Sequence, residues 1–171
     1  MKMPNEWLGE QTQLHMTDAY NGDPAPIPLW GAVASLNGGA VPQDAIARAS
    51  GDGGGTIWQV TWVANGHVGF AQATSSQPNW TAHPRFDGPD EMTAWRRPIT
   101  EVTAVNLIKV DCRKVTSYSE SGGEWQWASA QARITFSDGT TVVLPPFGPA
   151  RNDSEDQRVQ SQLDTLRTAA S

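Results

Sequence analysis

Ile57-Trp58-Gln59-Val60-Thr61-Trp62-Val63-Ala64-Asn65-Gly66-His67-Val68-Gly69-Phe70-Ala71-Gln72-Ala73-Thr74 decides the fold. Two β-rich runs flank Asn65-Gly66, the dipeptide that best suits a two-residue type I′ turn. Such a turn fixes the register. Trp58, Val60 and Trp62 then share one face and stand opposite Ala73, Ala71 and Gly69. Large side chains facing small ones pack across a strand pair without clash.

Working towards the C-terminus, residues 75–98 show no period and read as a long loop. Loops of this length are often functional. Residues 99–110 are rich in β-branched side chains and predict a strand. Residues 114–121 and 124–136 predict a hairpin across Gly122-Gly123, with Tyr118 facing Trp127. Ser137-Asp138-Gly139-Thr140 predicts a tight turn into a strand over 141–144, and Pro145-Pro146 ends the sheet. Residues 153–168 predict a helix, with Ser154 and Gln157 as a capping box. Val159, Leu163, Leu166 and Ala170 form one narrow apolar stripe along it.

Working towards the N-terminus, Gly51-Asp52-Gly53-Gly54-Gly55 reads as a flexible connector. It lacks the lysine of a phosphate loop and leads into a strand, not a helix. Residues 42–49 suggest a brief helical turn, and residues 29–36 a short first strand. Residues 1–28 hold the punctuated run Asn21-Gly22-Asp23-Pro24-Ala25-Pro26-Ile27-Pro28 and read as an arm or linker. The expected organisation is an arm over 1–28 and a single domain over 29–171.

The order of hairpin, loop, antiparallel meander, tight turn and C-terminal amphipathic helix resembles the bacterial pleckstrin-homology-like domains. The residues carrying the resemblance are Trp58-Gln-Val-Thr-Trp62, Arg97-Pro-Ile-Thr-Glu-Val-Thr-Ala-Val105, Ala132-Arg-Ile-Thr-Phe-Ser-Asp-Gly-Thr140 and the helix at 153–168. The resemblance covers roughly two-thirds of the chain. It implies a mainly β fold, an antiparallel barrel or sandwich of about seven strands with one C-terminal helix at its open end.

Charge limits the partners. The net charge is −6. Residues 1–58 carry two basic and six acidic side chains, and residues 85–133 carry seven of each. Duplex nucleic acid binding depends on Lys and Arg neutralising phosphates, so this balance argues against it. It also weakens a polybasic membrane-surface reading. No apolar run approaches the roughly 20 residues of a membrane span, and no apolar segment of a secretory signal follows Lys2. The one cysteine, Cys112, allows no intrachain disulfide. A reducing, cytoplasmic setting is the expectation.

The search for chemistry yields no catalytic or metal-binding set. His15, His67 and His83 are far apart, without metal-ligand spacing. Cys112, between Asp111 and Arg113-Lys114, reads as a small strand-end residue. Asp87, Asp90 and Glu91 read as a solvated acidic turn, since their spacing is not that of a calcium loop. No cofactor is implied.

What remains is the aromatic and basic content of the long loop and its end: Trp80, Arg85, Phe86, Trp95, Arg96 and Arg97. Trp and Arg are enriched at interface hot spots, and Arg stacks on indole faces. The bland alternative is that the aromatics fold back as a lid, with the arginines solvated or paired to Asp87 and Glu91. The expected function is a non-catalytic binding or adaptor module that contacts a protein partner, or an anionic ligand, through 75–98. One alternative is a structural subunit of a larger assembly, of virion or secretion type, docked through its N-terminal arm. An enzyme with a barrel pocket is the least supported.

Overall fold

A computed structural model of the chain describes residues 16–18, 22–51, 53–82, 88–115 and 124–169. The Asn65-Gly66 turn forms as read, with φ of 52° and 71° at the two residues. It joins β2 (Thr56–Ala64) to β3 (His67–Ser75), and Trp58 pairs with Ala73, Val60 with Ala71, and Trp62 with Gly69. A β-carbon on Gly69 would fall inside the Trp62 indole, so the strand pair requires glycine there.

Two strands extend this hairpin into an antiparallel sheet of order β1-β2-β3-β4, where β1 is Ile46–Gly51 and β4 is Glu91–Pro98. A second sheet of order β5-β6-β7 follows: β5 is Val102–Val115, β6 is Glu124–Phe136 and β7 is Thr141–Leu144. A one-turn 3₁₀ segment, Ile99–Glu101, links the sheets. The protein is thus mainly β, with seven antiparallel strands in a sandwich-like pair of sheets, and the described pairings close no barrel.

Among the described residues, two helices cover the sheets. Helix α1 is Ile27–Leu36 and helix α2 is Asp153–Ala169. Helix α1 packs on β3 and β4. It joins Met16, Ala25, Trp30 and Trp80 with Trp58, Val60 and Trp62 in one core. Helix α2 packs on β6 and β2. Its Val159, Leu163 and Leu166 meet Ile46, Val63, Val68, Ile134 and Phe136 in a second core. The first sheet is therefore covered on both faces. Strand alternation sends Trp58, Val60 and Trp62 to one core and Thr61 and Val63 to the other face.

Several element placements expected from the sequence are corrected. Residues 29–36 are helix, not strand: Pro28 occupies the first turn and Asn37 caps the end. The helical turn expected over 42–49 is limited to a turn at 43–44, and residues from 46 on are strand; pairing with β2 overrides an alanine-rich composition. The last third of the 75–98 loop is β4, an edge strand whose exposed residues hide the alternation. The meander has one long β5 where two strands were expected, and Trp127 pairs with Cys112 instead of Tyr118. Tyr118 itself lies outside the described residues.

The ends of α2 follow from local chemistry. Asn152 Oδ1 accepts the Glu155 backbone N–H at 2.8 Å, so Asn152 is the N-cap and not Ser154. Asp153, Glu155 and Asp156 in the first turn complement the helix dipole. The helix is tied to β1 by Arg48. Its guanidinium donates to both Glu155 oxygens, at 2.8 and 2.7 Å, and to the carbonyls of Pro146, Gly148 and Pro149. All five guanidinium donors are used, as a buried arginine requires. Asp18 adds a further tie, accepting the Ala49 N–H at 2.7 Å and pairing with Arg151 at 3.2 Å.

Candidate functional site

Strand β4 has β3 as its only neighbour in the sheet, which leaves its outer edge without a ladder partner among the described residues. None of its eight residues is buried. It is anchored at both ends: Asp90 N–H donates to the Thr74 carbonyl at 2.8 Å, and Ile99 N–H to that of Gly66 at 2.9 Å. The result is an extended, solvent-facing strand held on a rigid hairpin.

Alternation divides the predicted residues between the two sides of this strand. Trp95 pairs with Phe70 and Arg97 with Val68, on the side facing the second sheet. The Trp95 ring centroid lies 5.5 Å from those of both Phe70 and Phe136, tilted to the first and edge-on to the second. The Arg97 guanidinium sits 5.3 Å from the Trp95 centroid and 5.2 Å from the Phe136 centroid. It also pairs with Asp138 at 2.7 Å. This hydrogen bond, with further donors from Thr140, lowers the Asp138 carboxyl from 3.8 to about 2. Trp95 and Arg97 thus form a clamp joining β4 to the turn between β6 and β7.

Arg96 pairs with Gly69 and Met92 with Ala73, on the opposite side. Both are exposed, Met92 at 47%. Trp80 lies elsewhere. It is buried in the core beneath α1; its carbonyl accepts the Trp58 Nε1–H at 2.6 Å, and its N–H donates to Thr56 Oγ1 at 3.0 Å. Trp80 is therefore part of the frame, and Trp80, Trp95 and Arg96 share no surface. Arg85 and Phe86 lie outside the described residues.

Sequence reasoning missed two residues here. Met92 lies in a stretch whose sequence shows no period, so pattern alone assigns it no strand face. Asp138 was assigned to its turn alone, and only the fold brings it to Arg97 across 41 positions.

A polar cleft of about 180 Å³ opens at the other end of the first sheet, between the glycine-rich β1–β2 turn and residues 78–81. Asp23, Ser50, Thr56 and Asn79 line it. Thr56 Oγ1 is already engaged, donating to the Gln77 carbonyl and accepting from Trp80 N–H. Among the described residues that line it, the cleft presents no nucleophile–base pair. Among the described residues, no three or more His, Cys, Asp or Glu side chains gather as metal ligands. No described helix is long and apolar enough to cross a membrane. Comparison with known protein families, curated proteins and solved structures finds no match.

Proposed function

We propose that the protein is a non-catalytic binding module of pleckstrin-homology-like type, which takes an extended segment of a protein partner along β4. Support for the architecture comes from the order of four strands, three strands and a C-terminal helix. The observation that carries the function is the exposed β4 edge, with Arg96 and Met92 beside it. An edge strand offers a row of backbone donors and acceptors that a partner strand can complete. The Trp95–Arg97–Asp138 clamp holds this edge in place, which lowers the ordering cost of binding. Arg96 favours an acidic side chain on the partner, and Met92 offers an adaptable apolar contact.

The test is affinity capture from the native cell with the wild-type chain and with Arg96→Glu. The expected result is loss of a captured protein with Arg96→Glu and its retention with Arg167→Glu, a charge change on exposed α2 surface. Equal capture by both variants removes β4 as the contact. Arg97 is unsuitable for this test, because its clamp role mixes stability with binding.

A further inference from the structure

Among the described residues, strand β5 pairs with β6 alone, and β7 covers β6 only from Ala132 to Thr135. Beyond that point β5 and β6 continue as a two-stranded ribbon, and every residue of β5 from 106 to 112 is exposed. Ile108 is 42% exposed and Val110 36%, although both are strand residues of high apolarity. A two-stranded ribbon is at best marginally stable in water without further packing.

Residues 108–112 read Ile-Lys-Val-Asp-Cys. Lys109 and Asp111 reach each other at 3.9 Å, which places them on one face of the strand. Alternation leaves Val110 on the other face. Ile108 is the extra residue of a bulge against β6, and it begins this segment.

We propose that β5 pairs antiparallel with β5 of a second copy of the chain, about a two-fold axis at Val110. In this register Val110 meets Val110, and Ile108 meets the second copy's Cys112. Lys109 meets the second copy's Asp111, and the reverse contact repeats it. Within residues 108–112 each apolar position finds an apolar one and each charge finds its opposite. An isologous interface requires such self-complementarity. The product is one six-stranded sheet running from β7 of one copy to β7 of the other. This contact is independent of β4, so either surface stands if the other fails.

Sedimentation of the full chain over a concentration series is the test. The wild type is expected to dimerise reversibly. Lys109→Asp sets two carboxylates opposite each other at both contacts, and is expected to weaken association about tenfold or more. Lys109→Asp with Asp111→Lys restores the opposition of charges and the dimer. A wild type that stays monomeric into the high-micromolar range overturns the proposal, as does a double variant no tighter than the single one.

Cys112 gives a second readout. The two Cys112 residues lie four positions out of register, about 13 Å apart along the strands. That exceeds disulfide reach, so a bifunctional maleimide of matching span is expected to link the copies and mild oxidation is not. Efficient oxidation to a Cys112 disulfide would overturn the register.

Discussion

Arg48 and Glu155 stand 107 positions apart and meet in a two-pronged ion pair with almost no solvent exposure. The pair joins the first strand of one sheet to the helix that covers the other core. Buried pairs of this kind add little net stability over apolar packing, but breaking one strands a charge. Glu155→Ala is expected to cost about 3–5 kcal/mol. Replacing both partners, with Arg48→Met and Glu155→Leu, should cost less than Glu155→Ala alone. Denaturant unfolding of the three proteins checks the ranking.

Gly69→Ala tests the register of the β2–β3 hairpin. The added methyl collides with the Trp62 indole, whose Nε1 also donates to Asn37 Oδ1 at the end of α1. Overpacking of this kind costs about 1–3 kcal/mol. The loss should shrink when Trp62→Leu is made in the same chain, and a double-mutant cycle by thermal unfolding measures the coupling.

Asp138 links stability to acid. Its carboxyl is lowered from 3.8 to about 2 by Arg97 first and by Thr140 next. The folded-state value lies below the unfolded one, so the contribution is complete above the unfolded value and lost as pH falls towards about 2. Asp138→Asn should therefore flatten the acid limb of the stability profile between those values. Unfolding curves of wild type and variant across that range should converge at the acid end.

The N-cap of α2 separates the sequence reading from the structure. Asn152→Ala should destabilise by about 1 kcal/mol, because the Glu155 N–H loses its acceptor. Ser154→Ala, at the position the capping-box pattern points to, should be near neutral. Thermal unfolding of the two variants decides between them.

Particular residues show why some elements were legible and others were not. The β2–β3 hairpin was readable because Asn65-Gly66 fixes a register that the tryptophans and small residues then confirm. The turn at Asp138-Gly139 was readable for the same local reason, with Gly139 at a φ of 83°. Helix α1 was not, because Leu-Trp-Gly-Ala-Val-Ala-Ser-Leu shows no clear period. Its start and stop lay in the prolines before it and Asn37-Gly38 after it. Strand β1 needed its partner, since nothing local to Ala47-Arg48-Ala49 favours a strand. In β4 the inner residues are partly Thr93 and Arg97, and Arg97 is matched by an acid remote in sequence.

The abundance of tryptophan is also explained only by the fold. Trp30, Trp58, Trp62 and Trp80 are all fully buried, because together they fill the core between the first sheet and α1. Half of the eight tryptophans are thus accounted for by packing. Composition groups Trp80 with Arg96, but its burial is a property of the loop path that sequence pattern does not encode.

Amide hydrogen exchange of β4 in the complex with the captured partner tests the central claim most directly. The account predicts that the outward-facing amides between Glu91 and Arg97 exchange more slowly in the complex than in the free chain, as a partner strand completes the edge. Unchanged exchange along β4, with protection appearing on another surface, would contradict it.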